Sequence, residues 1–160
     1  MPLIGTLFAL YKNEGGILVK YLIATHGEFS KGIIDSVQLI IGEESTIDYF
    51  CMTKSKSSED ASREVKQYLS DIKNEPLVVL TDVFGGSVAN LFTECLLEGF
   101  DFQLVTGVNL PMLLSLLLSE GPIVERINTS LEEAKKGILH VNACIENKGG
   151  VEDDSIIIED

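Results

Sequence analysis

Short runs of branched apolar residues alternate along this chain with longer stretches whose apolar positions recur every three or four residues. No other feature limits the possible folds as much. The first run, Ile17–Ala24 (ILVKYLIA), is nearly continuous in apolar character, as a strand buried on both faces must be. Thr25-His26-Gly27 interrupts it, and Phe29, Ile33, Ile34, Val37, Ile40 and Ile41 then describe one face of a helix that Gly42 ends. Ile47–Met52 reads as a second strand. Ser57-x-x-Asp60 has the spacing of a helix capping box, ahead of a stripe at Ala61, Val65, Tyr68, Leu69 and Ile72.

Leu77–Thr81 (LVVLT) is the most strand-like run in the chain, followed by a loop over 82–87 and a helix over 88–98. Phe102–Thr106 predicts a fourth strand, with a loop to Pro111, a helix over 112–119 and an amphipathic helix over Ile123–Lys136. Ile138–Val141 reads as a candidate last strand carrying His140 in a structural role. Strands alternating with helices at this spacing predict βαβ units, hence an α/β, doubly wound, mainly parallel sheet of four to five strands flanked by helices. The flavodoxin-like order 2-1-3-4 is the economical arrangement. It makes strands 1 and 3 neighbours whose connections leave in opposite directions, opening a crevice at their carboxyl ends. His26 and Asp82 should face each other there.

Composition narrows the function. The chain has 160 residues, 45% of them apolar, enough for one well-filled domain without a metal or disulfide staple. Its formal charge of -13 opposes non-specific binding to phosphate backbones, so no nucleic acid is expected as a partner. The same charge disfavours docking on an anionic membrane by electrostatics. Cys51, Cys95 and Cys144 are widely spaced and odd in number, the pattern of reduced thiols in a cytoplasmic protein.

Residues 1–18 do not share the pattern, and two readings of them stand side by side. One is a genuine N-terminal extension. The other is a start-site artefact, in which codons for Asn13-Glu14-Gly15-Gly16 are a ribosome-binding site and Val19 is the true start. The working domain then spans 19–147, and 148–160 is an acidic C-terminal tail that opens on Lys148-Gly149-Gly150.

A carboxylate that accepts from one imidazole N–H fixes the tautomer and leaves the other nitrogen as a bare lone pair, a nucleophile for covalent catalysis. His26 and Asp82 could form that pair. Gly85-Gly86-Ser87 would let backbone N–H groups approach an anion at a helix N-terminus, with the Ser87 hydroxyl as a further donor. No Gly-Lys-Ser/Thr follows the glycines, so this is not the loop of a nucleoside triphosphatase.

Three blocks carry a resemblance: Ile23-Ala24-Thr25-His26-Gly27, Leu80-Thr81-Asp82-Val83-Phe84-Gly85-Gly86-Ser87-Val88-Ala89-Asn90, and Thr106-Gly107-Val108-Asn109-Leu110-Pro111-Met112-Leu113. In order and spacing, over roughly residues 19–141, the chain resembles the IIA component of the mannose-family (mannose/fructose/sorbose) phosphoenolpyruvate-dependent sugar phosphotransferase system. The resemblance implies a phosphotransferase that works by a phosphohistidine relay. His26 would take a phosphoryl group from the carrier HPr and pass it to a IIB component, with the IIC/IID membrane permease as an indirect partner. Asp82 would orient and stabilise His26, and Thr25, Gly85, Gly86 and Ser87 would bind the phosphoryl group. No metal or cofactor is called for. The resemblance also implies a cytoplasmic homodimer, peripheral to the inner membrane through the permease complex. Exchange of a C-terminal strand between subunits would use Ile138–Val141 or Ile156–Ile158. The family's frequent proline after the loop serine is Val88 here.

Three other readings compete. A histidine phosphatase would need an arginine beside His26, where Thr25 stands, and the chain's arginines are Arg63 and Arg126, neither at a predicted strand end. The phosphotransfer subunit of dihydroxyacetone kinase has a loop unlike Phe84-Gly85-Gly86-Ser87. A phosphorylatable regulatory IIA-like protein, sensing sugar status without onward transfer, is the main alternative. The transported sugar is not written in this sequence.

Overall fold

The computed structural model describes residues 18–43, 46–73 and 75–148. Four strands, β1 (Lys20–His26), β2 (Ile47–Met52), β3 (Leu77–Thr81) and β4 (Gln103–Thr106), form one parallel sheet in the order β2-β1-β3-β4. Six helices are described: α1 (Phe29–Ile41), α2 (Ser58–Asp71), α3 (Ser87–Leu97), α4 (Leu110–Leu118), α5 (Ile123–Lys136) and α6 (Val141–Lys148). The doubly wound α/β fold expected from the alternating pattern is the one observed.

Alternation along β1 splits the core into two layers. Tyr21 and Ile23 point to one face, where they pack with Ile33, Ile34 and Val37 of α1, Leu113 and Leu116 of α4, and Ile127 of α5. Leu22 and Ala24 point to the other, against Ala61, Val65 and Leu69 of α2 and Phe92 and Cys95 of α3. Phe92 is wholly buried and meets Phe50 and Phe102 edge-to-face at centroid distances of 6.3 and 6.0 Å. Such pairs add about 0.5–1.5 kcal/mol beyond area burial. Phe92→Ala would therefore cost about 3–5 kcal/mol.

Helix ends follow local chemistry. Ser57 caps α2 by accepting from the Asp60 N–H at 3.1 Å, as its spacing predicted. Asn109 caps α4 by accepting from Met112 N–H at 2.9 Å. That cap draws Leu110 and Pro111 into α4 and out of the expected loop; proline is well suited to a first helical turn, where its missing N–H goes unused. Ser87 likewise begins α3 and is not the last residue of a loop.

Two further corrections bear on the site. β1 continues to His26 where the apolar run alone ended it at Ala24, because pairing with β2 carries on through Thr25↔Cys51 and His26↔Met52. Its expected start at Ile17 lies outside the described residues. Ile138–Val141 is not a strand: 138–140 have no regular structure and Val141 opens α6. Without a neighbouring strand to pair with among the described residues, this four-residue segment cannot satisfy its backbone groups as an edge. His140 is exposed, and its carbonyl accepts from Cys144 N–H at 3.2 Å. Of the expected tail over 148–160, Lys148 ends α6 and residues 149–160, Ile156–Ile158 included, lie outside the described residues, as does the segment 1–17.

Candidate active site at the carboxyl end of the sheet

The sheet order makes β1 and β3 neighbours, with Ala24 opposite Thr81 in the last pair of their ladder. From that point β1 leads into α1 on one face, and β3 leads into α3 on the other. The chain therefore parts at the carboxyl ends of these two strands, and His26 and Asp82 are the residues left at the parting.

Asp82 takes over where the backbone ladder stops. Its Oδ2 accepts the His26 backbone N–H at 2.9 Å, and the same oxygen lies 2.9 Å from His26 Nδ1. Oδ1 lies 3.1 Å from Nδ1 and accepts the Val83 N–H at 2.9 Å. Burial is the largest single influence on this carboxyl and pushes its pKa up. The His26 backbone N–H, the His26 ring and its charge, and the Val83 N–H together outweigh it, holding Asp82 below its ordinary value. An ionised Asp82 accepts only, so Nδ1 carries the proton and Nε2 presents its lone pair. Ser87 Oγ lies 3.0 Å from Nε2 and donates to it in that tautomer.

The imidazole is open to solvent, its side chain 45% exposed against 13% for Asp82. The ring is thus accessible while the carboxylate that orients it is largely covered. This site is an exposed rim and not a cavity. A hollow of about 810 Å³ near Leu69, Ile72, Phe100 and Phe102 lies at the amino ends of β3 and β4 and contains none of these residues.

The glycine loop is shaped around the ring. Gly85 adopts φ +74°, a left-handed conformation that other residues enter at a cost. At Gly86 a Cβ would sit 3.2 Å from His26 Cε1 and 3.2 Å from the Val83 carbonyl oxygen, so the imidazole occupies the space a side chain would take. Asn90 Nδ2 donates to the Gly85 carbonyl at 3.1 Å, tying the loop to the first turn of α3. Asn90 stood in the motif without a role. Its clue was a polar residue set among the apolar neighbours Val88, Ala89, Leu91 and Phe92.

Of the residues expected at this site, the structure gathers His26, Asp82, Gly85, Gly86 and Ser87. It does not bring the Thr25 hydroxyl to the ring. Thr25 is wholly buried, and its Oγ1 accepts the Ser30 N–H at 2.8 Å. Ser30 in turn donates to the Phe50 carbonyl at 3.1 Å and lies 3.2 Å from Cys51 Sγ. Residues at alternate positions share a face, and Thr25 follows Tyr21 and Ile23 into the α1 layer. Its visible work is to anchor the start of α1 beneath the His26-Gly27 turn.

Comparison with known proteins identifies the family. The chain is 31% identical over 101 residues to the fructose-specific EIIA component of the phosphotransferase system of Bacillus subtilis, covering 62% of this chain and 69% of that protein. It is 19% identical over 129 residues to the mannose-specific EIIAB component of Escherichia coli, covering 78% of this chain and 40% of that longer protein. Among solved structures, the phosphotransferase system component EIIA of Streptococcus agalactiae superposes with a TM-score of 0.71 at 26% identity, over 79% of this chain and all of that one. The family described as EIIA-man, PTS system fructose IIA component, matches residues 20–139. With the sheet order and the histidine at its switch point, the match makes this chain a member of the mannose-type IIA family of the sugar phosphotransferase system.

Proposed function

We propose that the chain is a phosphocarrier in which His26 Nε2 takes a phosphoryl group from phospho-HPr and hands it to a histidine of a IIB component, coupled to sugar uptake. The observation that carries this reading is the division of labour on one ring. Nδ1 is held by Asp82 at 2.9 Å while Nε2 carries a lone pair, to which the Ser87 hydroxyl donates, on an exposed ring.

In the forward step the N–P bond of the donor breaks as a new one forms at Nε2. The ring becomes cationic, and the Asp82 carboxylate stabilises that charge through Nδ1–H. Phosphoryl transfer has a loose transition state, so positioning and electrostatics supply most of the catalysis. Gly85 and the first turn of α3 offer backbone N–H groups to the transferred oxygens and Ser87 Oγ offers a hydroxyl, while the Gly86 N–H is taken by the Val83 carbonyl at 3.1 Å. Ser87 Oγ, 3.0 Å from Nε2, can turn its hydroxyl to a transferred oxygen once the phosphoryl group occupies the ring. Thr25 acts at one remove, by anchoring α1.

Membership of the family favours HPr and a IIB component as partners, with the IIC/IID permease reached through IIB. A cytoplasmic homodimer at the inner membrane fits the same reading. Ile138, Leu139, Val141 and Ile145, each more than half exposed in the single chain, are the apolar surface such a dimer would cover. Among the described residues, no helix is long and apolar enough to cross a membrane. In domain terms, 19–147 is the transferring unit and the acidic tail over 148–160 lies outside it.

The test is intact mass after incubation with phosphoenolpyruvate, enzyme I and HPr, for wild type and His26→Ala. One acid-labile phosphoryl addition, absent in the variant, is expected. Its absence, with HPr itself phosphorylated, overturns the reading. Phosphorylation without onward transfer to any IIB component would make the protein a regulatory phosphoacceptor.

A further inference from the structure

Phosphoryl relay requires a bare Nε2 and a carboxylate behind Nδ1. It does not require a hydroxyl hydrogen-bonded to that nitrogen, yet Ser87 Oγ sits 3.0 Å from it. Asp82, His26 and Ser87 therefore form a continuous chain, with the carboxylate 2.9 Å from Nδ1 and the hydroxyl 3.0 Å from Nε2. Because Nδ1 holds the ring proton, the Ser87 O–H points at Nε2. That is the orientation in which an imidazole acts as a general base towards a hydroxyl.

Three further features complete the arrangement. Ser87 is exposed, so an electrophile can reach it. It is the first residue of α3 after the Gly86 N-cap, so the N–H groups of Ser87, Val88 and Ala89 have no partner within the helix. Those donors, at the positive end of the helix, lie beside the hydroxyl and can receive an oxyanion that forms on a group attacked by it. The absence of a side chain at Gly86 leaves the approach over the ring clear.

We propose that Ser87 is a His26-activated nucleophile towards small activated acyl or phosphonyl electrophiles, an acyl-transfer competence separate from the phosphohistidine relay. With an aryl ester, Ser87 Oγ bonds to the carbonyl carbon as its proton passes to Nε2, and the C–O bond to the aryloxide breaks. The imidazolium gives its proton to the leaving aryloxide. Water, deprotonated by the same nitrogen, then releases the acid and restores Ser87. With an alkyl fluorophosphonate, an Oγ–P bond forms and P–F breaks. Fluoride leaves, the proton goes through His26 to solvent, and the adduct remains.

The inference does not rest on the relay, and the two fail separately. The experiment treats unphosphorylated full-length protein with an alkyl fluorophosphonate and locates the adduct by peptide mapping, which needs no variant. One adduct on Ser87 is expected, slowed about 10²-fold or more in folded Asp82→Asn. p-Nitrophenyl acetate should show a burst of one p-nitrophenolate per site. Protein loaded with phosphoryl on His26 should resist labelling, because the base is then occupied. An adduct on His26 itself, labelling of Ser87 that is indifferent to Asp82→Asn, or no labelling at all would overturn the proposal. None of these outcomes bears on whether His26 accepts a phosphoryl group from HPr.

Discussion

One carboxylate of Asp82 grips His26 twice, accepting its backbone N–H at 2.9 Å and its ring Nδ1 at 2.9 Å through the same oxygen. The side chain of β3's successor thus replaces the next rung of the β1–β3 ladder and orients the imidazole. Fold and chemistry share an atom here. Asp82→Asn separates the two. The amide would turn an N–H donor towards one of the His26 donors, favouring the wrong tautomer. Phosphorylation of His26 should slow by about 10³–10⁴-fold. The lost hydrogen bonds should cost about 1–3 kcal/mol of stability. Quench-flow phosphorylation and urea unfolding of the same preparations check both, and a rate within a factor of two of wild type contradicts the assignment.

The lowered Asp82 pKa gives the stability a direction in pH. Burial alone would raise it, but the His26 and Val83 contacts overcome that effect. A carboxyl whose folded pKa lies below its unfolded value binds protons more readily in the unfolded chain. Its contribution is complete above the ordinary value of about 3.9 and disappears as pH falls through the lower folded value. The gap in urea midpoint between wild type and Asp82→Asn should therefore hold steady from neutrality to about pH 5 and close in stronger acid. A gap that stays constant to the lowest pH at which both fold would remove Asp82 ionisation from the account.

Gly86 and Gly85 are expected to fail in different ways when changed to alanine. Gly86 has φ −72°, which any residue adopts, so the burden of a methyl is steric: it would press on His26 Cε1 and the Val83 carbonyl at 3.2 Å. Gly86→Ala should lower stability by about 1 kcal/mol and transfer by about tenfold or more, since displacement of a reacting group is costly. Gly85 has open space around it but φ +74°. Gly85→Ala should therefore cost about 1–2 kcal/mol through the backbone, with the imidazole untouched. Melting curves and transfer rates on the pair distinguish the two mechanisms.

Elements whose signal is internal were legible in the sequence. β2, β3, α1 and α5 lie where periodicity and branched residues put them, since each carries its own apolar pattern and a clear stop. The pairing of His26 with Asp82, 56 residues apart, was also legible, because strand order alone makes strands 1 and 3 neighbours. Properties set by distant partners were less so. The extension of β1 to His26 comes from pairing with β2, and the absence of a strand at 138–141 from the lack of anything to pair with. Thr25 shows the finer limit. Its place beside the histidine suggested a phosphoryl contact, yet strand alternation turns it into the α1 layer with Ile23. Applying that alternation to the residue before His26 would have found its role.

Phe84 is the last test, because it concerns docking and not chemistry. It stands 88% exposed at the rim of the site, two residues from Asp82, so burial among the described residues does not call for an aromatic ring there. With Gly85 it heads a hollow of about 380 Å³ that runs past Asn90, Thr106 and Leu131. On the proposed relay, a partner delivering a phosphoryl group to His26 approaches over this rim, and an exposed aromatic side chain on the same loop can anchor it at low entropic cost. Phe84→Ala should leave the folded chain within about 0.5 kcal/mol of wild type. The concentration of phospho-HPr giving half the maximal rate should rise about tenfold, equivalent to about 1.4 kcal/mol of binding. The maximal rate should hold, since the ring contacts no reacting atom. A loss confined to the maximal rate would mean that Phe84 shapes the glycine loop, and an unchanged half-saturation would move the docking surface elsewhere on the carboxyl end of the sheet.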